Sequence, residues 1–136
     1  MRKLFSTGFT NGSVNLSLFL LRVVFGGLIF FQHGYEKLMK YSTLRYGFPD
    51  PFKIGSTISF SLVAFAEGIC SILLVLGLLT RLAAIPLVIT MGVVVFMIKQ
   101  HASIGDRELP IMYLCAFLVI LFAGPGKASV DKLLGK

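Results

Sequence analysis

Four long apolar runs, at about residues 16–39, 57–79, 81–101 and 108–124, fill most of the chain and leave it few folds to choose from. A helix of about 20 residues rises ~30 Å, the thickness of a bilayer's hydrocarbon core. The pattern therefore predicts an all-α membrane protein: an antiparallel four-transmembrane-helix bundle, one domain over residues 1–136, with a loop at 40–56. The third and fourth runs are short and borrow flanking residues to span. Composition agrees, since 56% of residues are hydrophobic and 14% charged, whereas soluble domains carry ~25% charged residues. The formal net charge of +7 would suit a nucleic-acid ligand. Here the Lys and Arg residues are scattered over termini and loops, with no dense tract and no interleaved aromatics, so the lipid bilayer is the expected partner and nucleic acid is not.

The connections carry their own signals. Gly77 and Thr80 punctuate a gap so short that only an antiparallel hairpin fits it, and Thr80 is placed to cap the helix that follows. Lys40 to Ser56 is longer and aromatic, with Pro49, Asp50 and Pro51 giving a structured loop that covers one end of the helices. Arg2 and Lys3 precede an apolar stretch as in a signal peptide, but Ser6 to Ser17 is polar and Arg22 interrupts the run, so the first segment reads as a retained span. Arg2, Lys3, Arg81, Lys127, Lys132 and Lys136 fall on one side; Lys37, Lys40, Arg45, Lys53, Lys99 and Arg107 fall on the other. Arg22 lies nearer the first side, and Glu36, Asp50, Asp106 and Glu108 all fall on the second, which favours both termini in the cytoplasm.

Glu67 stands near the middle of the second run, where a carboxylate costs from ~2.5 to more than 10 kcal/mol unless it is paired or protonated. Counted from the far side, His33 lies ~8 Å deep, Glu67 ~15 Å and Arg22 ~24 Å. Arg22 and His33 share a helix face with Gly26 and Lys37, and Gly26 with Gly27 allows close approach of another helix. Ala64, Cys70 and Ser71 form a small-residue stripe around Glu67. Turning the two faces together gives a chain Arg22–Glu67–His33. Lys99 and His101 end the third helix on the side where His33 and Lys37 gather, so Arg22, His33, Lys37, Glu67, Lys99 and His101 are the candidate ligand-binding residues, with Glu67 or His33 as proton acceptor. Two accounts stay open: a structural ion pair locking the helices in register, with Lys37 and Lys99 snorkelling outward, or a polar pocket for a headgroup, a quinone or a proton.

No metal site is expected, because the two histidines lie on different helices without His-x-x-x-His or Glu-x-x-His spacing. Cys70 and Cys115 differ in depth by ~10 Å, too far for the ~5.5 Å Cα separation of a disulfide, and read as small buried residues.

Leu21-Arg22-Val23 through Gly27, then His33-Gly34 and Lys37-Leu38, resembles the first helix of DoxX-type membrane proteins. Phe65-Ala66-Glu67-Gly68 and Gly77-Leu78-Leu79-Thr80-Arg81-Leu82-Ala83-Ala84 resemble their central signature, and His101, Glu108-Leu109, Gly124-Pro125-Gly126 and Ser129-Val130-Asp131 follow in order. One departure is Ile69, where the pattern leads one to expect a second glycine and hence a closer helix approach. The resemblance implies a four-helix protein of the bacterial or archaeal cytoplasmic membrane, related to the small subunit of a thiosulfate:quinone oxidoreductase. It also implies an accessory role in a quinone- or sulfur-linked redox system, with a partner protein carrying the redox centre. The chain itself has no Rossmann glycines, iron–sulfur cysteines or redox cysteine pair. The alternatives are a binding or transport protein for a lipid or small molecule and a non-catalytic scaffold subunit. Small-residue faces also permit a homodimer.

Overall fold

The computed structural model describes residues 5–127 and 129–135, which form helices and no strands; Arg2, Lys3 and Lys136, counted above for sidedness, lie outside them. The first helix, α1 (Asn11–Met39), starts ahead of the apolar run because Thr10 and Ser13 make a capping box, each side chain accepting from the other's backbone N–H. A short α2 (Tyr41–Leu44) follows, then α3 (Ser56–Leu76), α4 (Thr80–Ile98), α5 (Ile104–Ala123) and a terminal turn α6 (Val130–Leu133). By length and composition α1, α3 and α4 qualify to cross a membrane. The apolar pattern predicts a fourth span in α5, whose 20 residues suffice in length but include Asp106, Arg107 and Glu108 near the start. Among the described residues α4 and α5 pack together most extensively; α5 also meets α1, and α3 lies against both α1 and α4. Leu74, Leu87, Phe117 and Ile120, one or two from each of three helices, are fully buried at the centre.

The α3–α4 turn is held by the C-terminal segment. Gly77 is left-handed at φ 74, which lets the Leu78 N–H reach back to the Leu73 carbonyl at 2.9 Å and close α3. Thr80 does not cap α4 as its position predicts: it is the first helical residue and buried, and Oγ1 finds no partner among the described residues. The cap comes instead from Asp131, which accepts from the N–H groups of Leu79 (2.7 Å) and Thr80 (2.9 Å) across more than fifty residues. A carboxylate suits a helix N-terminus, where backbone donors and the macrodipole both favour negative charge. A Cβ on Gly77 would stand 2.5 Å from Ser129 Cβ and 3.0 Å from Arg22 Cζ. Gly77→Ala is therefore expected to cost about 1–3 kcal/mol from the left-handed backbone and more from the clash, read as a lower melting temperature in detergent.

The loop at 40–56 is organised by Asp50. Its carboxylate accepts from Ser59 Oγ (2.7 Å), Gly55 N–H (2.7 Å) and Ile54 N–H (3.1 Å), tying the loop to the start of α3. The Phe48 and Tyr41 rings then pack on Phe60 at 5.1 and 5.5 Å, and the Tyr41 hydroxyl donates to Ser61 Oγ. The bond from Ser59, with smaller help from the backbone donors, holds the Asp50 carboxyl below the ordinary carboxylate range. A depressed folded-state pKa means stabilisation that is present above the unfolded value of ~3.9 and is lost as pH falls through the folded value. Acidification below ~3.9 is expected to free this loop before the helices unfold, and Asp50→Asn to remove that step, as followed by limited acid proteolysis.

Candidate functional site

Three helices loosen into π-turns, at Phe30–Gly34 in α1, Phe65–Cys70 in α3 and Val94–Ile98 in α4. Such turns insert a residue, free backbone carbonyls and are frequent at functional sites. The first two press against each other. A Cβ on Gly34 would lie 2.0 Å from the Glu67 carbonyl oxygen, so this glycine lets the two backbones touch. Gly26 makes a second close approach, to Val75 and Ser71, whereas Gly27 meets nothing within 4 Å. Ser71 is fully buried, and its hydroxyl donates to the carbonyls of Glu67 and Gly68 at the wide turn. Ala64, Cys70 and Ser71 are buried as the small-residue stripe predicts. Ile69 is 45% exposed and points away from the helix contacts, so its bulk does not widen the approach.

At this crossing the Glu67 carboxylate meets Lys37, with Oε2 2.6 Å from Nζ; the side chains are 7% and 17% exposed. No donor among the described residues reaches Oε1. The chain Arg22–Glu67–His33 expected from helix depths does not form. Arg22 is buried, but its guanidinium turns the other way, donating to the carbonyls of Pro125 (2.6 Å) and Val75 (3.4 Å), resting on the Phe19 ring and feeling the charge of Asp131. It closes the end of the molecule opposite Lys37. Lys37, in turn, points inward and does not snorkel. Axial depth was a poor guide because both side chains are long enough to travel a full helical turn in either direction.

Two cavities share Glu67. The first, about 290 Å³, lies between α3 and α4 beneath the Phe48–Ile54 loop and is apolar except for Lys37, Glu67, Ser59 and Thr90. Its rim includes Leu62 and Ile89, each 57% exposed on the outer faces of apolar helices, so it opens laterally. The second, about 390 Å³, lies between α1, α4 and α5; half of its lining is polar, from Glu67, His33, Lys99, Asp106 and Tyr113, and the other half apolar. Its rim is at the α4–α5 connection. Glu67 and Val94 belong to both walls and form the partition between the cavities.

The six sequence candidates thus divide. Lys37 and Glu67 form the pair, and His33 and Lys99 share the second cavity with Glu67. His101 is exposed and lines neither, and Arg22 belongs to the opposite end. Lys99 also has a structural duty. Pro110 interrupts α5 and has no N–H for the Asp106 carbonyl one turn back, and the Lys99 ammonium donates to that oxygen at 3.2 Å. Tyr113 is the site residue that sequence reasoning passed over. It is 4% exposed, held edge-on to Phe25 and stacked on Phe117. The available signal was a tyrosine inside an apolar run, whose hydroxyl needs a polar neighbour. Cys70 is buried as expected, Cys115 is exposed, and both thiols are free. Among the described residues, no three His, Cys, Asp or Glu side chains gather in a group able to hold a metal ion.

Comparison with known proteins places this geometry in a family. The DoxX family model matches residues 17–100, which hold the crossing, the Lys37–Glu67 pair and all of the first cavity. An uncharacterized protein of Haemophilus influenzae is 33% identical, covering 89% of this chain and 85% of its own. An uncharacterized membrane protein of Mycobacterium tuberculosis is 32% identical, over 81% of this chain and 77% of its own. No solved structure matches the chain.

Proposed function

The chain belongs to the DoxX family, and on that premise we propose that it is an accessory subunit of a membrane redox system which seats a quinone-like amphiphile in the first cavity. In this reading the chain is a single four-span antiparallel bundle of a bacterial cytoplasmic membrane, both termini inside, with a redox partner protein beside it. The observation that carries the proposal is Glu67. It is a buried carboxylate with one oxygen held by Lys37 and the other without a donor among the described residues, at the end of an apolar chamber that opens sideways.

The residues fit such a ligand. The Lys37 ammonium would donate to a ring carbonyl, and Glu67 Oε1 would accept from a ring hydroxyl. The apolar walls would take the ring faces and tail, and the lateral opening would admit a molecule that partitions into lipid. A bound quinone would supply two-electron chemistry coupled to protons; electrons would come from the partner. The chain's own part is to orient the ring and hold or accept a proton at Glu67. The same lateral opening also fits binding of a lipid without reaction, the second reading. Protein isolated from native membranes in mild detergent, with its bound small molecules extracted and identified by mass spectrometry, decides between them. Retention of quinone that is lost in the double variant Lys37→Met/Glu67→Leu, whose apolar pair is expected to keep the fold, supports the redox reading; lipid alone, in wild type and variant, would replace it with the binding reading.

A further inference from the structure

The two cavities meeting at one carboxylate differ in chemistry, and the difference has a direction. The first is apolar and opens toward lipid; the second is rimmed by Lys99 and the exposed Asp106 and carries His33 and Tyr113 inside. At ~30 Å³ per molecule the second has room for roughly ten waters, and its 390 Å³ holds several polar side chains for them to bond. Beyond Glu67, toward the Arg22 end, Leu74, Leu87, Phe117 and Ile120 are wholly buried and leave no such space. Among the described residues, the cavity with room for water reaches the carboxylate from the α4–α5 side, and the packed core closes the other.

We propose that the second cavity is a one-sided proton conduit, joining Glu67 to the water on the face that carries the α4–α5 connection and closed to the opposite face. The charged and titratable groups facing Glu67 are Lys37 and His33 from α1, Tyr113 and Asp106 from α5, and Lys99 from the end of α4. A proton taken up at Oε1 gives the neutral acid. Its loss to a water of the second cavity restores the carboxylate and its pairing with Lys37, so no net charge stays in the membrane. What delivers the proton rests on the redox reading above, but the conduit does not need that reading to be tested.

Cysteine accessibility tests it, in full-length protein with Cys70 and Cys115 replaced by alanine and reconstituted in vesicles of known orientation. The probe is a charged, membrane-impermeant methanethiosulfonate. Met91→Cys, on the inner wall of the second cavity, is expected to react at least roughly tenfold faster from the α4–α5 face than from the other, thiol access to water setting the rate. Leu87→Cys, one turn deeper in the core, is expected to stay unmodified. If Met91→Cys unfolds the protein, Leu109→Cys at the rim serves for the face, and the Glu67 carboxyl infrared band, assigned by its loss in Glu67→Gln, serves for depth. That band is expected to change when the pH is stepped on the α4–α5 face alone. Inert Met91→Cys, equal labelling from both faces, or a Glu67 band answering to pH on the opposite face would overturn the conduit. Because no ligand is present in these measurements, absence of quinone from the purified protein would overturn the earlier reading and leave this one standing.

Discussion

Lys37→Met is expected to destabilise the protein by about 3–5 kcal/mol, the usual cost of removing one partner from a buried ion pair. The Glu67 side chain is 7% exposed, and its carboxylate has no second donor among the described residues. Removing both charges is expected to behave differently. In Lys37→Met/Glu67→Leu no uncompensated group remains, the apolar replacements suit the walls of the first cavity, and most of the lost stability returns. Thermal unfolding in one detergent, compared across the two single variants and the double, gives the coupling directly. If Lys37→Met unfolds like wild type, the pair is not the buried interaction described above. The double variant also separates stability from function, since it is expected to fold yet lacks the Glu67 carboxylate.

Gly34→Ala is expected to disrupt the molecule to a similar degree, about 3 kcal/mol or more, by overpacking at a contact that cannot relax. The added methyl would stand 2.0 Å from the Glu67 carbonyl oxygen and 2.7 Å from the Gly68 nitrogen, both backbone atoms of a helix fixed by its neighbours. Either α1 and α3 separate, which draws Lys37 away from Glu67, or the π-turn around Glu67 collapses. Gly27→Ala provides the control on the same helix. Beyond its own helix backbone, no atom of the described residues lies within 4 Å of its Cβ position, so the helix propensity of alanine leaves it neutral or up to about 1 kcal/mol more stable. Equal melting temperatures for the two variants would contradict the backbone contact at Gly34.

Much of this was legible in the chain. The apolar runs located the long helices because lipid and helix period constrain length so tightly, and Glu67 announced itself through the cost of a buried carboxylate. The α3–α4 turn was legible in Gly77, but its cap was not. Thr80 has the right chemistry and position, yet Asp131, more than fifty residues away, reaches the same N–H groups with a full charge. The start of α1 was misplaced for the opposite reason: Thr10 and Ser13 are polar, so a hydropathy reading passed over a local capping signal. The largest reversal concerns the cations. Arg22 is the cation that depth assigns to Glu67, with Lys37 either at the pocket or snorkelling outward; in the structure Lys37 takes Glu67 and Arg22 turns to the opposite end. A guanidinium with several donors is best satisfied by several carbonyls, and the C-terminal segment supplies them near Pro125; a compact ammonium needs one strong acceptor, and Glu67 is that acceptor.

The sequence by itself determined that the chain is helical, that its helices suit a bilayer, and that a carboxylate in the second run must be compensated. These follow from local quantities: rise per residue, side-chain polarity and the cost of burial. Only the tertiary structure decided which cation compensates Glu67, that Gly34 rather than Gly27 brings the helices together, that Tyr113 joins the site, and that Glu67 divides an apolar chamber from one with half its lining polar. Those outcomes depend on helix rotation and on π-turns that shift the register of one helix against another, and a long flexible side chain turns a small rotation into a different partner.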